Sequence, residues 1–140
     1  ESLNVKDVLM RFYNREKELA SLEKVRQVSF SVHSQMTVLT GRRRIGKTSL
    51  IFKSCENTPT VYLFVSRSNE TDLCSGFTAE IRQSLNIYVP EFTNFAELFR
   101  FLMDLGTRMK YNLIIDEFQE FYYINSVVYS LMQDIWDRYR

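Results

Sequence analysis

The segment Gly41-Arg42-Arg43-Arg44-Ile45-Gly46-Lys47-Thr48 constrains this chain more than any other, because it fits the pattern G-x-x-x-x-G-K-[ST]. The apolar run 36–40 before it predicts a short β-strand, and a helix is predicted from about residue 46 to residue 55. In a strand–loop–helix unit of this kind, successive backbone N–H groups curl around an anion at the positive end of the helix dipole. The pattern therefore predicts a phosphate-binding loop at the carboxyl end of a strand.

A second segment complements this loop. The apolar run 111–115 predicts another strand, which ends in Asp116 and Glu117. Buried strands often end in acids where they reach solvent, but an acidic pair found together with the first pattern suits a phosphate and Mg²⁺ site. Asp116 is predicted to complete the Mg²⁺ shell, and Glu117 is predicted to orient and deprotonate an attacking water.

The side chains of the first pattern have corresponding roles. Lys47 is predicted to reach the β- and γ-phosphates, and the Thr48 hydroxyl is predicted to ligate Mg²⁺. The predicted catalytic residues are Glu117 and Lys47, and the predicted metal-binding residues are Thr48 and Asp116. The predicted nucleotide-binding residues are Gly41, Arg42, Arg43, Arg44, Ile45, Gly46, Lys47, Thr48 and Ser49.

The rest of the chain reads as alternating strands and helices. A further strand is predicted over 60–65, and helices are predicted over 71–86, from Asn94 to a stop at Gly106, and over 126–139. Near the amino terminus, Leu19, Leu22 and Val25 have helical spacing. Strands separated by helices of this length predict an α/β sandwich with a parallel sheet.

Composition narrows the class of protein. The chain has 140 residues, a net charge of +1 and two cysteines, which favours one domain over 1–140 in a reducing, cytoplasmic compartment. No apolar run is long enough to span a bilayer. The chain begins with Glu1 rather than Met, so we expect it to be part of a longer protein.

At these landmarks the chain resembles a known family. Phe12-Tyr13-Asn14-Arg15-Glu16, the segment 39–48 and Ile114-Ile115-Asp116-Glu117-Phe118-Gln119 are similar to the archaeal-type ATPases, a prokaryotic branch of the AAA-like P-loop ATPases. The resemblance implies a three-layer P-loop core and Mg²⁺-dependent binding and hydrolysis of ATP. It also implies that the adenine is held partly by residues 12–15, that the protein forms a homo-oligomer, and that a C-terminal domain beyond this chain could contact nucleic acid.

The resemblance also implies an incomplete core. In such ATPases an additional strand follows the acidic pair in sequence and lies between the two strands that precede the phosphate loop and the acids. Only the helix 126–139 follows here. We therefore expect those two strands either to lack their shared neighbour or to pair directly. We also expect this N-terminal part of the nucleotide-binding domain to hydrolyse ATP weakly or not at all by itself.

Two other functions stay open at this level. One is a nucleotide-dependent switch or assembly module that hydrolyses little ATP, and the other is a P-loop kinase that acts on a small molecule. The acidic pair at 116 and 117 suits activation of water better than activation of a substrate hydroxyl. Gln119 is predicted either to position water or sense the γ-phosphate, or to pack in a helix or loop. The two cysteines are predicted to be small hydrophobic residues of helices.

Overall fold

The computed structural model describes residues 24–29, 35–40, 53 and 57–139 of the chain. Within them the chain forms four strands and four helices. The strands are β1 (Lys24–Ser29), β2 (Gln35–Thr40), β3 (Thr60–Phe64) and β4 (Asn112–Asp116). The helices are α1 (Glu70–Leu85), α2 (Phe95–Gly106), α3 (Phe121–Ile124) and α4 (Val128–Tyr139), and a 3-10 turn over Phe118–Glu120 joins β4 to α3.

The strands form one sheet in the order β1-β2-β4-β3. β4 pairs in parallel with both β2 and β3, and β1 pairs antiparallel with β2. The predicted α/β class with a parallel sheet is confirmed. Of the two arrangements expected for β2 and β4, the structure has direct pairing, and no strand follows β4 within residues 117–139.

The main core lies on one face of the sheet. Apolar side chains of β2, β3 and β4 pack there against α1, α2 and α4: Met36, Val38, Val61, Leu63, Leu113 and Ile115. The alternating residues Leu39 and Ile114 are buried on the opposite face, where Tyr62 packs against them. The predicted helix over 46–55 lies outside the described residues apart from Lys53.

The helix ends follow capping rules only in part. The side-chain oxygen of Asn94 accepts the N–H of Glu97 at 2.9 Å, as the sequence predicts. The N–H of Phe95, the first residue of α2, donates to the carboxylate of Glu70 in α1 at 2.7 Å, so this helix end is capped partly from another helix. The helix α2 ends at Gly106 as predicted, but the residue that closes it is Thr107 in an ordinary right-handed conformation, so the predicted glycine cap is not the cause of the stop.

One strand replaces a predicted helical segment. Val25 belongs to β1, where it lies opposite Leu39, so its assignment to a helical stripe was wrong. Three apolar residues at helical spacing are a short window, and backbone pairing with β2 outweighs so weak a local preference. The rest of the predicted first helix lies outside the described residues.

Candidate functional site

The carboxyl ends of β2 and β4 define the site. Val38 pairs in parallel with Ile115, so Asp116 is one step beyond the last paired residue of β4. β2 ends at Thr40, two residues after Val38. Adjacent strands lie about 4.8 Å apart. The carboxyl end of β2 at Thr40 therefore lies at the same edge of the sheet at which β4 delivers Asp116 and Glu117.

Asp116 is a buried carboxylate with 5% exposure, at the end of the central parallel strand. Its Oδ1 accepts the N–H of Glu117 at 2.8 Å, and its Oδ2 accepts the hydroxyl of Tyr62. Its carbonyl oxygen accepts the N–H of Val65, which continues the β3–β4 pairing to the end of the strand. These three contacts fix both the main chain and the carboxylate of Asp116.

This carboxylate fits a role at Mg²⁺. Mg²⁺ keeps several waters in proteins and is held through one or two carboxylates together with substrate phosphates. A carboxylate oxygen accepts more than one hydrogen bond, so the two donors on Asp116 are compatible with a contact through a metal-bound water. Within the described part of the chain, no group of three or more His, Cys, Asp or Glu side chains could hold a metal by itself.

Glu117 directly follows β4 in a left-handed backbone conformation, with φ 57° and ψ 44°. For a residue with a Cβ this conformation costs steric strain. Glycine avoids the strain because it has no Cβ, and asparagine offsets part of it through local hydrogen bonds. The conformation turns the chain sharply out of the strand into the 3-10 turn. The side chain of Glu117 accepts a hydrogen bond from Nε2 of Gln119.

The turn after β4 forms a polar cluster. Nε2 of Gln119 also lies 3.3 Å from Oε2 of Glu120, and both of these residues are buried. Nε of Arg67 donates to Oε1 of Glu120, and the guanidinium lies 4.1 Å from the centre of the Tyr123 ring. The hydrogen bond and the charge of Glu120 raise the pKa of Arg67 above its ordinary value. Arg67 thus connects the loop after β3 to the turn that carries Glu117.

The predicted nucleotide-binding residues all fall in a part of the chain that the structure does not describe. Gly41, Arg42, Arg43, Arg44, Ile45, Gly46, Lys47, Thr48 and Ser49 lie outside the described residues, as do Phe12 to Arg15. Of the predicted site residues, Asp116 and Glu117 are described, and they lie side by side at the carboxyl edge of the sheet.

Sequence reasoning missed three residues of this region. Tyr62 donates to Asp116, and Arg67 donates to Glu120 in the turn after Glu117. These three residues, Tyr62, Arg67 and Glu120, belong to no motif. The available signal was indirect: Tyr62 lies in a predicted strand, but which residue it faces depends on the order of the strands. A cavity of about 300 Å³ lies beside β3 and includes Tyr62, Phe64, Asp72 and Glu80 in its lining. Its acidic groups disfavour phosphate there.

The parallel strands and the acidic pair at their carboxyl edge indicate the class of protein. They are compatible with part of a P-loop-type nucleotide-binding core. The family comparison identifies the chain more closely. The model of a family described as ATPase domains predominantly from Archaea matches residues 12–140, so the chain belongs to that family. The suspected relationship is confirmed, and the family indicates nucleotide binding of the ATPase type.

A similar protein occurs in Methanocaldococcus jannaschii and is described as uncharacterized. It is 33% identical to this chain over 127 residues, which are 90% of this chain and 26% of that protein. The chain thus spans about a quarter of this relative's length. No solved structure matches the chain significantly. Among the described helices, none combines the length and the apolar character needed to cross a bilayer.

Proposed function

We propose that this chain binds ATP together with Mg²⁺ and contributes the catalytic centre that hydrolyses it. The observation that carries the proposal is the parallel pairing of β2 with β4, in which Val38 lies beside Ile115. Because of this register, the carboxyl end of β2, which directly precedes Gly41 in sequence, lies at the same edge of the sheet as the acids at the end of β4. Family membership supports the same activity.

The residues divide the work between binding and activation of water. Backbone N–H groups over 41–49 hold the phosphates, and Lys47 contacts the β- and γ-phosphates as a point charge. Thr48 and Asp116 hold Mg²⁺, which neutralises charge on the phosphates when it is bound. Glu117 orients the attacking water and accepts its proton, since its carboxylate stands next to Asp116 at the strand end.

The conformation of Glu117 supports this role. Strained backbone conformations at residues other than glycine concentrate at functional sites, where the surrounding structure holds them. At Glu117 the holding contacts are its N–H bond to Asp116 and the amide of Gln119. A glutamate that served only to end a strand has no need of these contacts.

The test measures ATP turnover and ATP binding separately in the intact protein. Glu117→Gln is expected to lower turnover by a factor of roughly 100 or more while ATP still binds, because a general base contributes about that much. Lys47→Ala is expected to weaken both. The matched controls are Glu97→Gln and Lys110→Ala, which alter exposed side chains outside the site.

Three results would contradict the proposal. If Lys47→Ala binds ATP as tightly as the unmodified protein, residues 41–49 are not the phosphate site. If Glu117→Gln abolishes ATP turnover but the protein still performs its function in the cell, the chain acts as a nucleotide-dependent switch. In such a switch the ATP-bound conformation is sufficient for function. Phosphate transfer to an acceptor other than water would instead indicate a small-molecule kinase.

We also propose that the protein forms a homo-oligomer in the cytoplasm. We expect further domains to determine which process uses the energy of ATP hydrolysis, and nucleic acid is one expected target of those domains. The length of the Methanocaldococcus jannaschii relative supports the presence of further domains in this family.

A further inference from the structure

Tyr62 is the side chain through which β3 reaches the acidic end of β4. It lies in β3 opposite Ile114, and Phe64 lies opposite Asp116, so Tyr62 is one same-face step back from Asp116 on the neighbouring strand. With strands about 4.8 Å apart and a rise of about 3.3 Å per residue, the two main-chain positions lie roughly 8 Å apart, which a tyrosine side chain can span. The Tyr62 hydroxyl does span it and donates to Oδ2 of Asp116.

The ring of Tyr62 has a fixed environment. It packs against Leu39 of β2 and Ile114 of β4, both of which are fully or almost fully buried, and the phenol itself is only partly exposed. Its apolar body is therefore held by the sheet while its polar end meets a carboxylate. The position of the hydroxyl depends on strand pairing rather than on a mobile loop.

Asp116 consequently has a described donor at each carboxylate oxygen. The N–H of Glu117 lies at Oδ1 and the hydroxyl of Tyr62 lies at Oδ2. Hydrogen bonds to an ionised carboxylate are shorter and stronger than neutral ones, so two of them define the plane of the group. A carboxylate whose plane is fixed loses less conformational freedom when it takes a place in a metal's coordination sphere.

We propose that Tyr62 is a positioning residue that orients the Asp116 carboxylate toward Mg²⁺ in the nucleotide complex. This inference rests on the proposed function, since it assigns to Tyr62 a part in the same metal site. Outer-sphere partners of metal-binding carboxylates typically change metal affinity by a factor of about 10–100 when they are removed. Tyr62 meets that description through a single hydroxyl.

The test is Tyr62→Phe in the intact protein, which removes the hydroxyl and keeps the ring against Leu39 and Ile114. ADP binding is measured by calorimetry across a range of Mg²⁺ concentrations and in EDTA, and binding of Mn²⁺ to the ADP complex is measured by electron paramagnetic resonance. The Mg²⁺ concentration for half-maximal tightening is expected to rise about tenfold, with a matching loss of Mn²⁺ affinity. Affinity for ADP in EDTA is expected to stay unchanged.

Tyr88→Phe is the control, because Tyr88 is 81% exposed and lies outside the site. A second arm combines Tyr62→Phe with Asp116→Asn. If the hydroxyl acts through Asp116, its removal has no further effect on Mn²⁺ binding once the carboxylate is gone. An equal further loss in the double variant would show that Tyr62 acts independently of Asp116 and would overturn the proposal.

The remaining outcomes separate this inference from the proposed function. An unchanged Mg²⁺ requirement in Tyr62→Phe, with Mg²⁺-dependent ADP binding in the unmodified protein, overturns the role of Tyr62 alone. A loss of the same size in EDTA also overturns it, since the hydroxyl would then only support the fold. If ADP binding in the unmodified protein does not respond to Mg²⁺, the proposed function fails, and the inference fails with it.

Discussion

The hydroxyl of Tyr129 donates a 2.8 Å hydrogen bond to the carbonyl oxygen of Phe118. Both residues are fully buried, and their rings also pack edge to face, with centroids 5.2 Å apart. Tyr129 belongs to α4, whereas Phe118 opens the turn that directly follows Glu117. The last described helix thus holds the acid-bearing turn in place through one polar and one aromatic contact.

Removing this hydroxyl is expected to destabilise the fold. Tyr129→Phe keeps the ring packing but removes one hydrogen bond to the Phe118 carbonyl, which still accepts the N–H of Phe121, so a loss of about 0.5–1.5 kcal/mol in the free energy of unfolding is expected. Urea denaturation followed by circular dichroism measures the loss. Tyr123→Phe is the control, since Tyr123 is 54% exposed, and it is expected to change the free energy by less than about 0.5 kcal/mol. Equal stability of Tyr129→Phe and the unmodified protein would show that the bond contributes nothing.

The protein is expected to unfold at a lower alkaline pH than the ionisation of its surface groups alone would cause. Burial, and more weakly the charge of Glu70, raises the pKa of Cys74 from its ordinary 9.0 to about 12. Burial likewise raises the pKa of Tyr111 and Tyr129 above their ordinary 10.0. Well below pH 9 both the folded and the unfolded chain keep these protons, so the stability they provide is fully present. As the pH rises further, only the unfolded chain releases them, and stability falls.

Urea denaturation at intervals from pH 8 to pH 11 measures this dependence, and absorbance at 295 nm reports tyrosinate. Tyr111 and Tyr129 are expected to ionise only together with unfolding. Cys74 is expected to resist alkylation in the folded state, because its thiol is buried and protonated. Ionisation of all eight tyrosines near pH 10 in a protein that stays folded would contradict the prediction.

Glu70 is expected to contribute to stability although it belongs to no motif. Its carboxylate accepts the N–H of Phe95 at 2.7 Å and the amide of Asn125 at 3.1 Å, so it ties the start of α1 to α2 and to the end of α3. Glu70→Ala leaves both donors without this acceptor, and a loss of roughly 1–3 kcal/mol is expected. Glu91→Ala removes only an exposed ion pair with Arg82 and is expected to cost less than about 1 kcal/mol. Thermal or urea unfolding compares the two variants, and an equal cost would refute the special role of Glu70.

Gln119 is expected to affect turnover more than nucleotide binding. Gln119→Leu removes the amide that donates to Glu117 and lies next to Glu120, and it leaves Asp116 in contact with its own donors. We expect kcat to fall about tenfold, as for the loss of a hydrogen bond of about 1.4 kcal/mol, with little change in the Kd of ATP. Steady-state assays together with binding titrations separate the two quantities. A rise in Kd without a change in kcat would place Gln119 outside the catalytic centre.

Local sequence patterns predicted the elements of the fold well where packing and pattern agree. The helix predicted over 71–86 is α1, Glu70–Leu85, because Leu73, Phe77 and Ile81 recur on one buried face. The strand predicted over 60–65 is β3, whose residues alternate between the core and the opposite face. The start of α2 follows from Asn94, a residue that caps helices by chemistry of its own.

Relationships between distant segments could not be predicted in the same way. That Tyr62 meets Asp116 depends on β3 and β4 being neighbours in a particular register, and no local pattern encodes register between strands separated by two helices. The turn and the short α3 between Glu117 and Asn125 likewise follow from the left-handed conformation of Glu117 and from the anchoring of Phe118 by Tyr129. The acidic pair itself was predictable because its chemistry is local to the strand end.

Whether residues 41–49 hold the triphosphate is decided by calorimetric titration of the intact protein with ATP and Mg²⁺, on a Glu117→Gln background so that ATP persists. Adding Lys47→Ala is expected to weaken ATP binding by a factor of at least ten, as for the loss of a hydrogen-bonded charge contact of about 1.5–3 kcal/mol. Adding Lys110→Ala is expected to leave the Kd unchanged. Equal affinity in the Lys47→Ala and Lys110→Ala proteins would contradict the account, because the triphosphate would then be bound elsewhere.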